Sequence, residues 1–223
     1  MKSGVIFSFI SWYAFSISSF TISYALLNCN NSSFFSYKFS SSSSSTTKSS
    51  NFFITFSLST SIVFSDILND VWAGLYDGDM LALAAEKKVP IMLMHNQKEE
   101  SYQDITQDVC DFLSQRAQAA LEAGVPAECI WLDPGFGFAK NEQQNVELLK
   151  GLDKVCQLGF PVLFGISRKR TVDYLLGGGT LASERDMGTA ALSAWAIAKG
   201  CQMVRVHNVD LNRDLVRVIS QLV

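Results

Sequence analysis

A short apolar run followed by a helical pattern recurs five times after Asp66, and this alternation constrains the fold more than any other feature of the sequence. Turn residues bound each apolar run, as they do in buried parallel strands. The runs cover residues 66–71, 90–95, 129–134, 161–167 and 203–207. The clearest helical patterns cover residues 105–121, 141–155, 187–199 and 211–219. The sequence therefore predicts an α/β domain with a parallel sheet.

The length of each unit favours one parallel architecture over another. Five units in residues 66–223 average about 32 residues, close to the roughly 31 per unit of a (β/α)8 barrel. We predict a TIM-type (β/α)8 barrel that is incomplete, with about five carboxyl-terminal units. A doubly wound open sheet is the alternative. No GxGxxG follows a strand, and the glycines at 135 and 137 are too close together to be that motif.

The composition changes abruptly near residue 65, which predicts a domain boundary there. Residues 1–65 contain no acidic residue, no proline and a single glycine, and they are rich in serine and phenylalanine. This low-complexity segment has three interpretations: a stretch without folded structure, a targeting peptide, or a weak membrane anchor through residues 4–27. Residues 40–50 are typical of a flexible linker. Residues 66–223 form the predicted folded domain.

Charge and cysteine usage exclude several classes of function. The net charge of −3 argues against nucleic acid as a partner, because phosphate binding needs a basic surface. The five cysteines form no CxxC pair, so neither a disulfide scaffold nor a zinc knuckle is expected. Such thiols are typical of a reducing compartment, and we expect a cytoplasmic protein. With two histidines in the chain, a His-rich metal site is excluded.

Every predicted strand ends in a side chain that can bind or react. The groups are Asn69 and Asp70, Met94 and His95, Asp133, the three residues 167–169, and Arg205 with His207. In a barrel the carboxyl ends of the strands meet at one rim, where active sites lie. An amide and a carboxylate beside three or four cations suit a small heterocycle that carries phosphate.

Some of these groups also have a purely structural interpretation. An aspartate before Pro-Gly, such as Asp133, is typical of a turn. His95 is typical of a partly buried histidine whose hydrogen bonds are satisfied. Arg205 and His207 resist this interpretation, because alternate residues of a strand share one face.

Three segments together resemble dihydropteroate synthase. They are LDPGFGFAK at 132–140, GISRK at 165–169 and RVHNV at 205–209, and LNDV at 68–71 and LMH at 93–95 agree in order and spacing. The resemblance covers about residues 66–223. It implies a transferase of folate biosynthesis that condenses hydroxymethyl-dihydropterin diphosphate with p-aminobenzoate and releases pyrophosphate. A pterin-binding methyltransferase-type domain is the alternative, but the SRK run followed by RVH favours the synthase.

The resemblance also implies roles for individual residues. The implied catalytic residues are Lys169, Asp133, Arg205 and His207. The implied substrate-binding residues are Asn69, Met94, Asp133, Phe138, Gly165, Ser167, Lys169, Arg205 and His207. In this scheme the amide and the carboxylate hold the pterin edge, Met94 and Gly165 line its slot, and Lys169 bridges the two substrates near Ser167 and Phe138. Arg205 and His207 bind the diphosphate.

The first three strands of that family carry loops that have no counterpart in residues 1–65. These loops help to hold magnesium and the diphosphate and close over p-aminobenzoate, so magnesium is implied without a protein ligand assigned here. We therefore predict weak pterin binding with little turnover, with a non-catalytic pterin-binding remnant as the alternative. An unclosed barrel also leaves two strand edges unpaired. A homodimer through the late helices is expected from the resemblance alone.

Overall fold

The structure is a computed structural model that describes residues 21–28, 34–40, 67–76 and 78–223. The strands are β1 (Thr21–Asn28), β2 (Phe34–Ser40), β3 (Leu68–Asp70), β4 (Ile91–Met94), β5 (Ile130–Asp133), β6 (Leu163–Phe164) and β7 (Met203–Val206). The helices are α1 (Met80–Lys87), α2 (Ile105–Glu122), α3 (Glu142–Lys150), α4 (Leu152–Cys156), α5 (Arg170–Leu175), α6 (Asp186–Ala198) and α7 (Val209–Ile219).

The five strands from β3 to β7 are parallel and follow one another in chain order. β3, β4 and β5 form one parallel group, and β6 pairs with β7. A single bridge between Leu132 and Val162 connects the two groups. A doubly wound sheet reverses its strand order, and no reversal occurs in this part of the chain, so that alternative is wrong for the described strands. The described strands do not close into a barrel.

A hairpin from the amino-terminal segment covers one edge of this sheet. β1 runs antiparallel to β7, with Ala25 opposite Val206, and β2 runs antiparallel to β1. The expectation that both edges are unpaired is therefore wrong at β7, because backbone groups of β1 pair with it. Within the described residues no strand pairs with the second edge of β3. Of the predicted linker at 40–50, Ser40 ends β2, and the remainder of residues 1–65 lies outside the described residues.

Helices pack against the parallel strands through apolar stripes. All four residues of β4 are buried, as expected for a strand covered on both faces. Helix α2 buries a stripe at Val109, Leu113, Ala117 and Ala120. Its first turn is capped by Asp104, whose carboxylate accepts hydrogen bonds from two backbone N–H groups. The predicted helix at 105–121 is confirmed.

The predicted helix at 141–155 is interrupted in its middle. Asn141 and Gln144 form the predicted capping box at its start. The chain leaves the helix at Gly151 and resumes as α4. A β-carbon at Gly151 would lie 2.6 Å from the side chain of Thr106, so the glycine allows the start of α2 to pack closely here. The apolar periodicity continues across this break and does not reveal it.

No helix within the described ranges has the length and apolar character to cross a bilayer. Of the candidate anchor at 4–27, residues 21–27 belong to β1, and residues 4–20 lie outside the described part of the chain.

Candidate functional site

The guanidinium of Arg205 connects three of the parallel strands at their carboxyl ends. Its Nη1 donates to Oδ1 of Asn69 on β3 at 3.0 Å, and its Nη2 donates to Oδ2 of Asp133 on β5 at 3.4 Å. The side chains of Arg205 and Asp133 are 12% and 2% exposed. The first, third and last parallel strands therefore deliver an amide, a carboxylate and a cation to one place.

Two other predicted residues lie against this cluster. A β-carbon at Gly165 would lie 2.6 Å from Nη2 of Arg205, so the missing side chain makes room for the guanidinium. Met94 is fully buried, and its Cγ would lie 3.3 Å from a β-carbon at Gly135. Gly165 therefore lies against the cluster, and Met94 lies opposite Asp133 in the register of β4 and β5.

Lys169 lies beside the cluster with an unusually acidic ammonium group. Its Nζ donates to the carbonyl oxygen of Phe136 and lies 4.6 Å from the ring centroid of Phe138. Burial and the positive charge of Arg205 together lower the pKa of Lys169 to about 7, although Asp133 opposes the shift. This amine therefore changes charge near neutral pH.

The side chain of Ser167 pairs with His207. The Ser167 Oγ accepts from the backbone N–H of His207 at 3.1 Å and lies 2.9 Å from His207 Nδ1. The hydroxyl and the ring nitrogen therefore share one hydrogen bond, which fixes the orientation of the imidazole. Burial lowers the pKa of His207, and the nearby Arg168 lowers it further.

The residue before Lys169 has a structural role. Arg168 adopts a left-handed backbone conformation, with φ of 60°. Its Nε and Nη2 donate to the two carboxylate oxygens of Asp186, at 2.6 and 2.8 Å. Thr189 Oγ1 also accepts from the backbone N–H of Arg168. Arg168 is therefore not one of the binding cations of the rim. It fixes the segment that carries Ser167 and Lys169.

Asp70 and Asp133, the two aspartates at the strand ends, make different contacts. Both carboxylate oxygens of Asp70 accept from backbone N–H groups, those of Trp72 at 3.0 Å and Gly74 at 2.5 Å. The expectation that Asp70 belongs to the binding rim is wrong, because its carboxylate stabilises the turn after β3. Asp133 has the predicted turn contact, since its Oδ1 accepts from Gly135 N–H at 2.8 Å, and its Oδ2 lies 3.4 Å from Nη2 of Arg205.

A buried lysine that the sequence analysis did not single out holds the loop after β5. Lys140 is 2% exposed, and its Nζ donates to the carbonyl oxygens of Gly135 and Phe138 and lies 2.9 Å from His95 Nδ1. Burial lowers the pKa of Lys140 to about 7 and that of His95 to about 3. The interpretation of His95 as a buried, satisfied histidine is confirmed. No local pattern marks Lys140, since its partners are backbone carbonyls and a side chain 45 residues away.

The described residues do not offer a magnesium site. No group of three or more His, Cys, Asp or Glu side chains in this part of the chain is arranged to hold a metal ion. The cluster itself contains one carboxylate, and Arg205 occupies it.

Comparison with known proteins identifies the family to which this fold and cluster belong. Residues 57–207 match the family model described as pterin binding enzyme. The chain belongs to the pterin-binding enzyme family.

The relatives within that family narrow the comparison. Over 158 residues the chain is 74% identical to dihydropteroate synthase of Streptococcus pyogenes serotype M1, a match that covers 71% of this chain and 59% of that relative. The chain therefore spans less than two thirds of the length of this curated relative. Dihydropteroate synthase of Thermus thermophilus in complex with 6HMPPP is 40% identical, with a TM-score of 0.67 over 71% of this chain and 63% of that one.

The Xanthomonas albilineans dihydropteroate synthase, solved with 4-aminobenzoic acid, is 37% identical and also has a TM-score of 0.67. The match covers 71% of this chain and 57% of the X. albilineans chain.

Proposed function

We propose that this chain binds hydroxymethyl-dihydropterin diphosphate and belongs to the dihydropteroate synthases of folate biosynthesis. The observation that carries the proposal is the contact of Arg205 with both Asn69 and Asp133, which are 136 and 72 residues away along the chain. These are the residues to which the resemblance assigns the pterin edge and the diphosphate. The relatives that match over 71% of the chain bear the same name.

We further propose that the parallel strands are the last five units of a TIM-type (β/α)8 barrel. Their sequential order and their average of about 32 residues per unit support this. In such a barrel β3 and β7 lie on opposite sides of the lumen, and an Arg205 that reaches Asn69 spans it.

The proposed reaction uses positioning and charge rather than covalent catalysis. Asp133 accepts from the N–H groups of the pterin edge and Asn69 pairs with its remaining polar atoms, so the ring is held rigidly. The bond between the pterin methylene carbon and the diphosphate oxygen breaks, the amine of p-aminobenzoate attacks that carbon and then loses a proton, and pyrophosphate leaves. Arg205 and His207 stabilise the charge that develops on the leaving oxygens.

The pKa of Lys169 suits a position between the two substrates. An anionic diphosphate beside this amine favours its protonated form and raises its pKa, which adds a positive charge where negative charge develops. The ring of Phe138, 4.6 Å from Nζ, offers a face on which an aromatic amine stacks.

Magnesium, which the resemblance implies, does not fit the described residues, and no step is assigned to it. Weak pterin binding with little turnover stays a prediction for this chain. The non-catalytic remnant and the methyltransferase-type domain stay as alternatives. Small-molecule substrates without nucleic acid, a homodimer and a cytoplasmic location also remain predictions.

Fluorescence titration of the full chain with 6-hydroxymethylpterin diphosphate tests this proposal. We expect saturable binding that weakens at least about tenfold in Lys169→Ala and is unchanged in Lys150→Ala, an exposed lysine on α3. Added p-aminobenzoate should release pyrophosphate at well below about 1 per second, an ordinary enzyme rate. Turnover at that rate would overturn the proposed impairment, and a Lys169→Ala variant with full binding and full activity would overturn the role of Lys169.

A further inference from the structure

Two thiols are in contact at the end of the sheet that lies away from the candidate site. Cys156 is the last residue of α4, and Cys201 lies two residues before β7. Their Sγ atoms are 3.6 Å apart, and no disulfide connects them. Cys201 is 2% exposed and Cys156 is half-buried. The contact joins two positions 45 residues apart in sequence.

Cys156 is the more accessible of the two thiols, since it is half-buried and Cys201 is almost completely buried. The hydrogen bond from Cys201 stabilises the thiolate and lowers the pKa of Cys156, although burial and Asp153 oppose the shift. The two other cysteines within the described residues, Cys110 and Cys129, have a pKa raised chiefly by burial. Since the thiolate is the nucleophile, Cys156 reacts first with an oxidant that reaches the surface.

We propose that Cys156 and Cys201 are an oxidation site that forms an intramolecular disulfide with a small disulfide oxidant such as glutathione disulfide. The Cys156 thiolate attacks one sulfur of the oxidant, which gives a mixed disulfide and releases one glutathione thiolate. Cys201 then loses its proton and attacks the Cys156 sulfur, and the second glutathione leaves. Two protein thiols are oxidised to one disulfide, and the oxidant is reduced to two thiols.

The geometry requires little movement. A disulfide bond is about 2.05 Å long, so the sulfurs approach each other by about 1.5 Å, which side-chain rotation at the end of a short helix accommodates. Gly200 lies directly against this pair, since a β-carbon there would lie 3.3 Å from Cys156 Cβ. The absence of a side chain at Gly200 leaves Cys156 room to turn.

The position of the pair predicts which property the bond changes. The loop that it closes contains β6, α5 and α6, and with them Ser167 and Lys169. The bond itself lies at the amino end of β7, whereas Arg205 and His207 lie toward its carboxyl end. Residues at the amino-terminal face of such sheets serve stability rather than chemistry. The disulfide therefore stabilises the folded chain without changing pterin affinity.

Oxidation of the full chain by glutathione disulfide tests the proposal in a Cys29→Ser background, because Cys29 lies outside the described residues. We expect the number of thiols to fall from four to two, peptide mapping to join Cys156 to Cys201, and dithiothreitol to reverse the change. The melting temperature should rise by at least about 4 °C in the oxidised form. Cys156→Ser and Cys201→Ser should each abolish the bond, while Cys129→Ser should retain it.

Three results would overturn the proposal: four thiols that persist, a glutathione adduct on Cys156 alone, or a bond between Cys156 and its neighbour Cys110. Peptide mapping of the protein with both cysteines present decides among them even where a serine variant does not fold. Measurement of 6-hydroxymethylpterin diphosphate binding before and after oxidation separates a stabilising bond from one that distorts the site.

Discussion

Single residues in the turn after β5 contribute strongly to the stability of the fold. Gly135 has a φ of 70°, and a β-carbon there would lie 2.0 Å from the carbonyl oxygen of His95. We expect Gly135→Ala to destabilise the fold by about 3 kcal/mol or more, because both the backbone conformation and the contact become unfavourable. Urea unfolding measures this change.

Gly159 provides the matched control for this substitution. It also has a positive φ, of 87°, but nothing lies within 4 Å of a β-carbon there. Gly159→Ala should lower the free energy of unfolding by about 1 kcal/mol, which is the contribution of the backbone conformation alone. Equal losses of unfolding free energy in the two variants would show that the contact with His95 does not contribute to the effect of Gly135→Ala.

The ion pair between Arg205 and Asp133 makes a second prediction at this scale. Arg205→Met leaves the Asp133 carboxylate, 2% exposed, without its cation, and the chain should lose about 3 kcal/mol of stability. The double variant Arg205→Met with Asp133→Asn removes the buried charge and keeps the acceptor for Gly135 N–H. Its free energy of unfolding should therefore exceed that of Arg205→Met by at least about 1 kcal/mol. A double variant less stable than Arg205→Met would contradict this account. Chemical denaturation of the three chains is the measurement.

The buried histidine predicts how stability depends on pH. The folded His95 binds a proton near pH 3, and an unfolded one near 6.5. The unfolded chain therefore binds more protons in this window, and the free energy of unfolding falls as pH drops from 6.5, by a slope that approaches about 1.4 kcal/mol per unit. His207, whose pKa is also lowered, acts in the same direction.

The variant His95→Asn keeps an acceptor near Lys140 but cannot titrate. Its stability should fall less steeply than that of the natural chain between about pH 6.5 and 4.5, as measured by urea unfolding at successive pH values. Parallel pH profiles in the two chains would refute a neutral His95 in the folded state.

The sequence predicted which single residues form the cluster but not all of the contacts that side chains make around it. Asn69, Asp133 and Arg205 were found because each ends an apolar run, and parallel strands bring such ends together. The assignment of Asp70 to the rim was wrong because side-chain direction at a strand end depends on the following turn, which only the fold reveals. Lys140 was missed because its carbonyl partners leave no pattern in the sequence.

Among the elements, the amino-terminal hairpin has the least expected position. Antiparallel pairing of β1 with β7 satisfies backbone groups that an open sheet exposes. We expect a chain that begins at Ser65 to aggregate more readily than the full chain, as measured by light scattering. A chain that lacks only residues 1–20 and keeps β1 and β2 is the matched control and should behave like the full chain. Equal aggregation of all three would contradict a protective role of the hairpin.

The elements after residue 66 were largely predictable from apolar periodicity, and the exceptions have physical reasons. Helix α5, with six residues, is too short to show a periodic stripe. The break at Gly151 reflects tertiary packing against Thr106. The pairing of β1 with β7 escaped prediction because a serine- and phenylalanine-rich segment with a single glycine and no proline carries little signal of strand partners.

Across the whole molecule, the arrangement of charged side chains affects the binding of an anionic ligand more than the net charge does. The net charge is −3, yet the cations Arg205 and Lys169 lie beside one buried carboxylate, that of Asp133. Such a local concentration of cations attracts an anionic substrate to an otherwise acidic protein. Added salt should therefore weaken the binding of a pterin diphosphate more than that of the uncharged 6-hydroxymethylpterin. Fluorescence titrations of both compounds at low and high salt measure this, and equal salt dependence would contradict it.

The most direct measurement of the central claim is isothermal titration of the full chain with 6-hydroxymethylpterin diphosphate, repeated with Asn69→Ala and Asp133→Ala. A shared pterin site predicts one ligand per chain and an affinity at least about tenfold weaker in each variant, since each removes a hydrogen-bonding partner of the ring. Circular dichroism of the three chains shows that the variants remain folded. Absence of binding to the full chain, or the same affinity in folded variants, would contradict the claim.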